Sequence, residues 1–88
     1  MASIAARKLR GVLRNVQAVL AIELLVAAQA LDLRRPLKAG TGAAAAHEAI
    51  RSRVTHMDED RELHRDISAV REMLPEIEQA ARAAAGLV

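Results

Sequence analysis

The spacing of apolar and polar residues changes partway along the first third of this chain. Up to about Val16, Arg7, Arg10, Arg14 and Gln17 recur at three- and four-residue steps and share one helical face. Ile4, Leu9, Val12, Leu13 and Val16 cover much of the remainder. From Val16 to Leu31 the polar face disappears: VQAVLAIELLVAAQAL is apolar nearly all the way round, with one charge, Glu23, in its middle. A helix that meets solvent on one side shows a single apolar stripe, whereas one apolar on every side belongs inside a bundle or a membrane. The pattern predicts one helix from about Ile4 to Leu33, roughly 45 Å long at ~1.5 Å per residue. Ser3 is its expected N-cap. Arg34 and Arg35 sit at the negative end of its dipole, and Pro36 forbids continuation.

Beyond Pro36 the periodic segments are short. LKAGTG (Leu37–Gly42) reads as a connector. Thr41 is the expected cap of a helix over Ala43–Arg53, with Ala46, Ala49, Ile50 and Val54 as its buried side. The polar stretch THMDEDRELHRD follows, in which Asp58 could start a single helical turn. Asp66 is the expected cap of Ile67–Leu74, where Ile67, Val70 and Leu74 step at three and four. Pro75 either kinks that helix or opens another at its first position, where Glu76 and Glu78 would face a positive helix end. The tail is expected to fray after Gly86. The chain thus divides into a long bundle-forming helix (1–35) and a short-helix segment (36–88) of the same structural unit, all-α throughout.

Size makes the long helix a problem. A compact chain of 88 residues has a radius of gyration of about 12 Å, and a 45 Å rod does not fit inside it. Small domains also leave much of their surface exposed. Cysteine and aromatic residues are both absent, so neither disulfides nor large rings can compensate for a thin core. The expectation is a piece of a larger helical bundle, with alanine, leucine, valine and isoleucine packing closely against other helices.

Charge is divided between the two halves. Up to Gly40, seven Lys/Arg face only Glu23 and Asp32; beyond it, six Arg face nine Asp/Glu. Two complementary faces are implied, while neither half shows the sustained excess of a nucleic-acid binder. Arg7, Lys8, Arg10 and Arg14 could grip phosphates, but no base-reading pattern accompanies them, so a solvated or intersubunit face is the expectation. A bilayer crossing needs about 20 apolar residues, and Val16–Leu31 has sixteen with Glu23 central, which disfavours a membrane span. The apolar stretch is too long and internally charged for a signal sequence. The cytoplasm is the expected compartment.

Candidate chemistry is sparse. Glu23 is the most prominent residue: an acid with a raised pKa or, more simply, one half of a buried interhelical ion pair. Gln17 and Gln29 read as interhelical hydrogen-bonding groups. His47, His56 and His64 lack the four-residue spacing of a helical metal site and read as solvated or supporting groups. Asp58, Glu59 and Asp60 lack the glycine and spacing of a calcium loop. Ser3, Thr41, Ser52, Thr55 and Ser68 are the available hydroxyls, and none sits in a glycine-flanked turn with a placed base. No catalytic, cofactor-binding or metal-ligating residue is assigned.

The segment AARKLRGVLRNVQAVLAIELLVAAQALDLRRPLKAG (Ala5–Gly40), followed by AHEAIRSRV and DEDRELHRDI, resembles the C-terminal end of the histidine ammonia-lyases and their aromatic amino-acid lyase and aminomutase relatives. The most specific parts are Val19–Lys38 and Asp58–Ile67. The resemblance implies a long, mostly helical parent chain, a homotetramer around a central bundle of long helices, and active sites shared between subunits. It also implies non-oxidative elimination of ammonia from an amino acid, histidine above all, promoted by a methylidene-imidazolone group made from an internal Ala-Ser-Gly. That triplet is absent here, Ala2-Ser3-Ile4 cannot replace it, and the catalytic tyrosines are absent too. A family glutamate near the substrate falls upstream of Met1.

The resemblance therefore implies a structural part of a lyase, inactive alone, whose partners are other helices of the parent enzyme or a complementary chain. The alternative is a free-standing helical module that oligomerises through Val16–Leu31 and binds a partner through its basic face. Nucleic-acid binding through Arg7–Arg14 is a weaker third reading.

Overall fold

A computed structural model describes residues 2–87. They form four helices and, among the described residues, no strand: α1 (Ala2–Leu33), α2 (Thr41–Arg51), α3 (His64–Glu72) and α4 (Leu74–Ala84). The all-α architecture expected from the periodicity is what the chain adopts. Several boundaries differ from the expectation. α1 already includes Ala2 and Ser3, so Ser3 is not its cap. Thr41 is the first residue of α2 rather than its cap, which is Gly40 with extended backbone and no side-chain hydrogen bond. No helical turn forms at Asp58.

α3 starts three residues before the expected Ile67, with Leu63 as its cap. The reason lies in Asp66, which accepts a hydrogen bond from Arg61 Nε at 3.0 Å instead of capping a helix end. Pro75 lies in the first turn of α4 together with Glu76, so it opens a new helix rather than kinking an old one. Gly86 follows α4 with a φ of +80°, the left-handed backbone that glycine tolerates without a Cβ penalty.

The core is small and lies where α1's second half meets the short helices. Ala21 and Ala28 of α1 join Ile50, Val54, Val70, Met73 and Ile77, with Leu24, Leu25, Ala46, Ala49 and Ile67 packed around them. Two pairings carry the fold, α1 against α3 and α2 against α4. The second is close: a Cβ at Gly42 would lie 3.4 Å from the Ala81 carbonyl oxygen and 3.7 Å from Ala85 Cβ.

Only one side of α1 is covered. Ala21 and Ala28 are buried, but Val19, Leu20, Ile22 and Val26 are exposed, and so is the whole apolar set Ile4, Leu9, Val12, Leu13 and Val16. The radius of gyration is 15.1 Å and the longest dimension 54 Å, well above the compact expectation of about 12 Å. Ser3–Leu33 is also long and apolar enough to cross a bilayer, with a mean hydropathy of 1.7 over its most apolar window and 17% of that window buried.

Candidate functional site

The densest polar cluster gathers on a residue that the sequence pattern left in the background. Asp32 lies in the last turn of α1, and its side chain is 4% exposed. One carboxylate oxygen, Oδ1, accepts from His47 Nε2 at 2.7 Å and Arg35 Nη2 at 3.0 Å. The other, Oδ2, accepts from His56 Nδ1 at 2.9 Å and from Arg51, whose Nε and Nη2 lie 3.0 and 2.8 Å away. α2 contributes His47 and Arg51, one turn apart on one face. The loop after α2 contributes His56, and the turn after α1 contributes Arg35.

Burial by itself would push the Asp32 carboxyl up. The hydrogen bonds from His56, Arg51 and His47, together with the Arg51 charge, outweigh it and hold the group well below the ordinary carboxylate range. Asp32 is therefore an anion with its acceptor sites filled by cations and imidazole N–H groups.

A second tie lies one turn earlier on α1. Gln29 Nε2 donates to the Met57 carbonyl at 2.9 Å, and Gln29 Oε1 accepts from the Met57 N–H at 3.2 Å. This reciprocal pair treats the glutamine amide as a stand-in for a backbone peptide. Gln29 Nε2 also faces His56 Nε2 at 3.4 Å. Arg61 closes the loop from the other side, donating to the Thr55 carbonyl at 2.6 Å and Thr55 Oγ1 at 3.1 Å while its Nε holds Asp66. Beside these ties, a groove of about 320 Å³ runs between α1 and the loop, lined by apolar Ile22, Leu25, Val26, Leu33, Met57 and Leu63 among others.

The expectations for individual residues divide. Glu23 is exposed and has no ion-pair partner among the described residues, because this chain covers α1 on the opposite side, at Ala21 and Ala28. Gln17 is likewise exposed. Gln29 does bridge, although to a loop rather than to a helix. His47 and His56 are half-buried partners of Asp32 rather than simply solvated, while His64 is exposed beside Glu62, 3.2 Å away. Arg7, Lys8, Arg10 and Arg14 remain on the exposed surface. Asp32 was missed. The available signal was its three-residue spacing from Gln29 and Arg35, which the apolar background concealed.

Chemically the cluster is a clamp. Neither imidazole is hydrogen-bonded to a hydroxyl among the described residues, so the aspartate–histidine pairs lack a nucleophile. No group of three or more metal-ligating side chains with suitable geometry occurs among the described residues. The sequence carries no Ala-Ser-Gly.

A family model described as aromatic amino acid lyase matches residues 1–52, more than half of the chain. The chain belongs to this family. Histidine ammonia-lyase of Myxococcus xanthus is 60% identical over 74 residues, which are 84% of this chain and 15% of that protein. Histidine ammonia-lyase of Anaeromyxobacter sp. strain K is 57% identical over 76 residues, 86% of this chain and 15% of that protein. The histidine ammonia-lyase of Natranaerobius thermophilus is 49% identical over 76 residues. The match is to the C-terminal segment of such lyases, and the chain spans about 15% of the length of the curated relatives it matches. No solved structure matches this chain. Every element of the Asp32 clamp except His56 falls within the stretch matched by the family model.

Proposed function

We propose that this chain is the C-terminal helical part of a histidine ammonia-lyase-like enzyme, and that its contribution is structural. The observation that carries the reading is the bare side of α1. Val12, Val16, Val19 and Val26 are each about half exposed or more, on a helix that its own short companions cover along one side. Apolar area of that extent on a soluble chain marks an interface. Relatives about 60% identical over this stretch are several times longer, and their remaining helices are the natural cover. On this reading the Asp32 clamp fixes where α2 and the following loop leave α1, so that both faces of α1 are presented in a defined direction. The parent reaction would be non-oxidative loss of ammonia from histidine or a related amino acid, with the electrophile and the substrate contacts supplied by other segments. The parent would be a cytoplasmic homo-oligomer, without membrane or nucleic-acid partners.

A chimera tests this. The corresponding segment of the Myxococcus xanthus histidine ammonia-lyase is replaced by these residues, and urocanate formation and oligomeric state are measured. Restored assembly and turnover, together with no turnover and concentration-dependent association of the 88-residue chain alone, are expected. A monodisperse, cooperatively melting small oligomer that fails to support the chimera would instead favour the free-standing interaction module.

A further inference from the structure

The exposed side of α1 contains an apolar strip that runs well past the core. Leu9, Leu13, Val16, Leu20 and Ala27 follow one another at three-, four- and seven-residue steps and are all exposed, the first four by 59, 53, 48 and 44%. Over Leu20–Ala27 the strip forms one wall of a groove of about 490 Å³, whose other wall is α4 at Leu74, Ile77 and Glu78. Leu24, on the flank of the strip nearer α4, packs against the core. Glu23 lies on the opposite flank, so the groove is apolar with an acidic residue on each rim. The N-terminal half of the same strip carries the other sign. α1 has no acidic residue before Glu23. Lys8 shares the flank of Glu23, while Arg7, Arg10 and Arg14 lie on the flank that continues toward α4.

We propose that this groove receives the N-terminal half of α1 from a second copy of the chain, the two helices pairing antiparallel about a two-fold axis near Val16 and Gln17. In that register Leu13 of each copy faces Leu20 of the other, and Leu9 faces Leu24. Ile4–Gln29 of the two copies overlap, ~39 Å of helix. A two-fold axis across antiparallel helices sets each flank against the same flank of the other copy. Lys8 then meets Glu23 on one side, and Arg10 meets Glu78 of α4 on the other, each contact occurring twice. A parallel pair would gather the basic residues of both copies at one end and leave the glutamates unanswered. An anionic bilayer would attract the basic residues but repel Glu23 and Glu78 beside the same strip, whereas a second copy answers both charges. A separate exposed strip, Val12, Val19, Val26 and Leu33, lies outside this contact and is left for helices of a longer parent. The pairing shares the bare side of α1 with the scaffolding role proposed above, but it does not require a lyase parent.

The chain has no cysteine, so introduced thiols report the register directly. Full-length Leu13→Cys and Leu20→Cys chains, mixed and oxidised, are expected to give mainly the mixed disulfide. In the antiparallel pair the two copies of position 13 lie about 10 Å apart along the axis, beyond disulfide reach. Charge reversal gives a second readout, by sedimentation. Lys8→Glu with Arg10→Glu, and Glu23→Lys with Glu78→Arg, are each expected to weaken self-association about tenfold, while an equal mixture of the two chains associates within about threefold of the unmodified protein. Both readouts are compared at matched helical content by circular dichroism. The disulfide test, which exchanges only exposed leucines, stands even if a charge variant fails to fold. A monomer at all concentrations, a preference for same-site disulfides, or a mixture that associates no better than its parts would each overturn the pairing. Absence of the mixed disulfide in a chain that still supports the chimeric lyase overturns the pairing alone and leaves the scaffolding role standing.

Discussion

Asp32 shows how a single carboxylate can hold three segments at once. Its oxygens receive two imidazoles and two guanidinium groups, so removing its charge leaves Arg51 facing an amide in a half-buried pocket. Asp32→Asn is expected to cost roughly 3 kcal/mol, the low end for breaking a buried ion pair, because Arg35 is solvated. The sign of the pH dependence follows from the depressed carboxyl pKa. A group whose folded pKa lies below its unfolded value contributes fully above the ordinary carboxylate range, about pH 4, and its contribution is lost as pH falls below it. The stability difference between the native chain and Asp32→Asn is therefore expected to shrink as pH falls below about 4, read from denaturant or thermal midpoints. Glu23 provides the contrast. It is exposed in this chain, so Glu23→Gln is expected to change the isolated chain's stability by less than about 0.5 kcal/mol. A larger effect in a longer assembly would locate a partner there.

At the scale of elements, the fold rests on the approach of α2 to α4 and of α3 to α1. Gly42 stands at the first of these contacts, with room for a methyl but nothing larger against Ala81 and Ala85. Gly42→Ala is expected to be neutral or to stabilise by up to about 1 kcal/mol through helix propensity. Gly42→Leu is expected to destabilise by about 1–3 kcal/mol through overpacking; equal melting of both variants would show that α2 and α4 do not meet there. Val70 and Ile50 are fully buried, so Ile50→Ala is expected to cost about 2–4 kcal/mol by chemical denaturation. The three- and four-residue steps of Ala46, Ala49, Ile50 and Val54, and of Ile67 and Val70, were readable as buried faces without coordinates. The start of α3 was not, because Arg61 recruits Asp66 away from a capping role, and nothing local in the sequence announces that contact.

For the whole molecule, the decisive property is a 32-residue helix flanked by only about fifty residues of cover. Its first half has no tertiary neighbour in the core, which begins at Ala21. The expected consequence is association that depends on concentration, measured by sedimentation of the chain alone. Leu13→Lys with Val16→Lys is expected to weaken it strongly while leaving the helical content from residues 41–84 in place. A chain that stays monomeric at all concentrations with α1 intact would remove the basis for the scaffolding role.

Periodicity and composition alone determined the all-α class, the long first helix ending before Pro36, and the mismatch between a long greasy rod and a short chain, while the choice at Pro75 between a kink and a new helix was made by the fold. These depend on local propensity and on spacing, which are properties of neighbouring residues. The resemblance carried by Val19–Lys38 pointed to the family for the same reason, since residue order is preserved in the text. Only the tertiary structure decided which carboxylate is buried. Glu23 and Asp32 both interrupt an apolar background, but the turn at Pro36 folds α2 back onto the end of α1, where Asp32 lies, and leaves Glu23 on the open side. The meeting of His47, Arg51 and His56 around Asp32 joins residues 15 to 24 positions away in sequence, and no one-dimensional period encodes a distance that a returning chain sets.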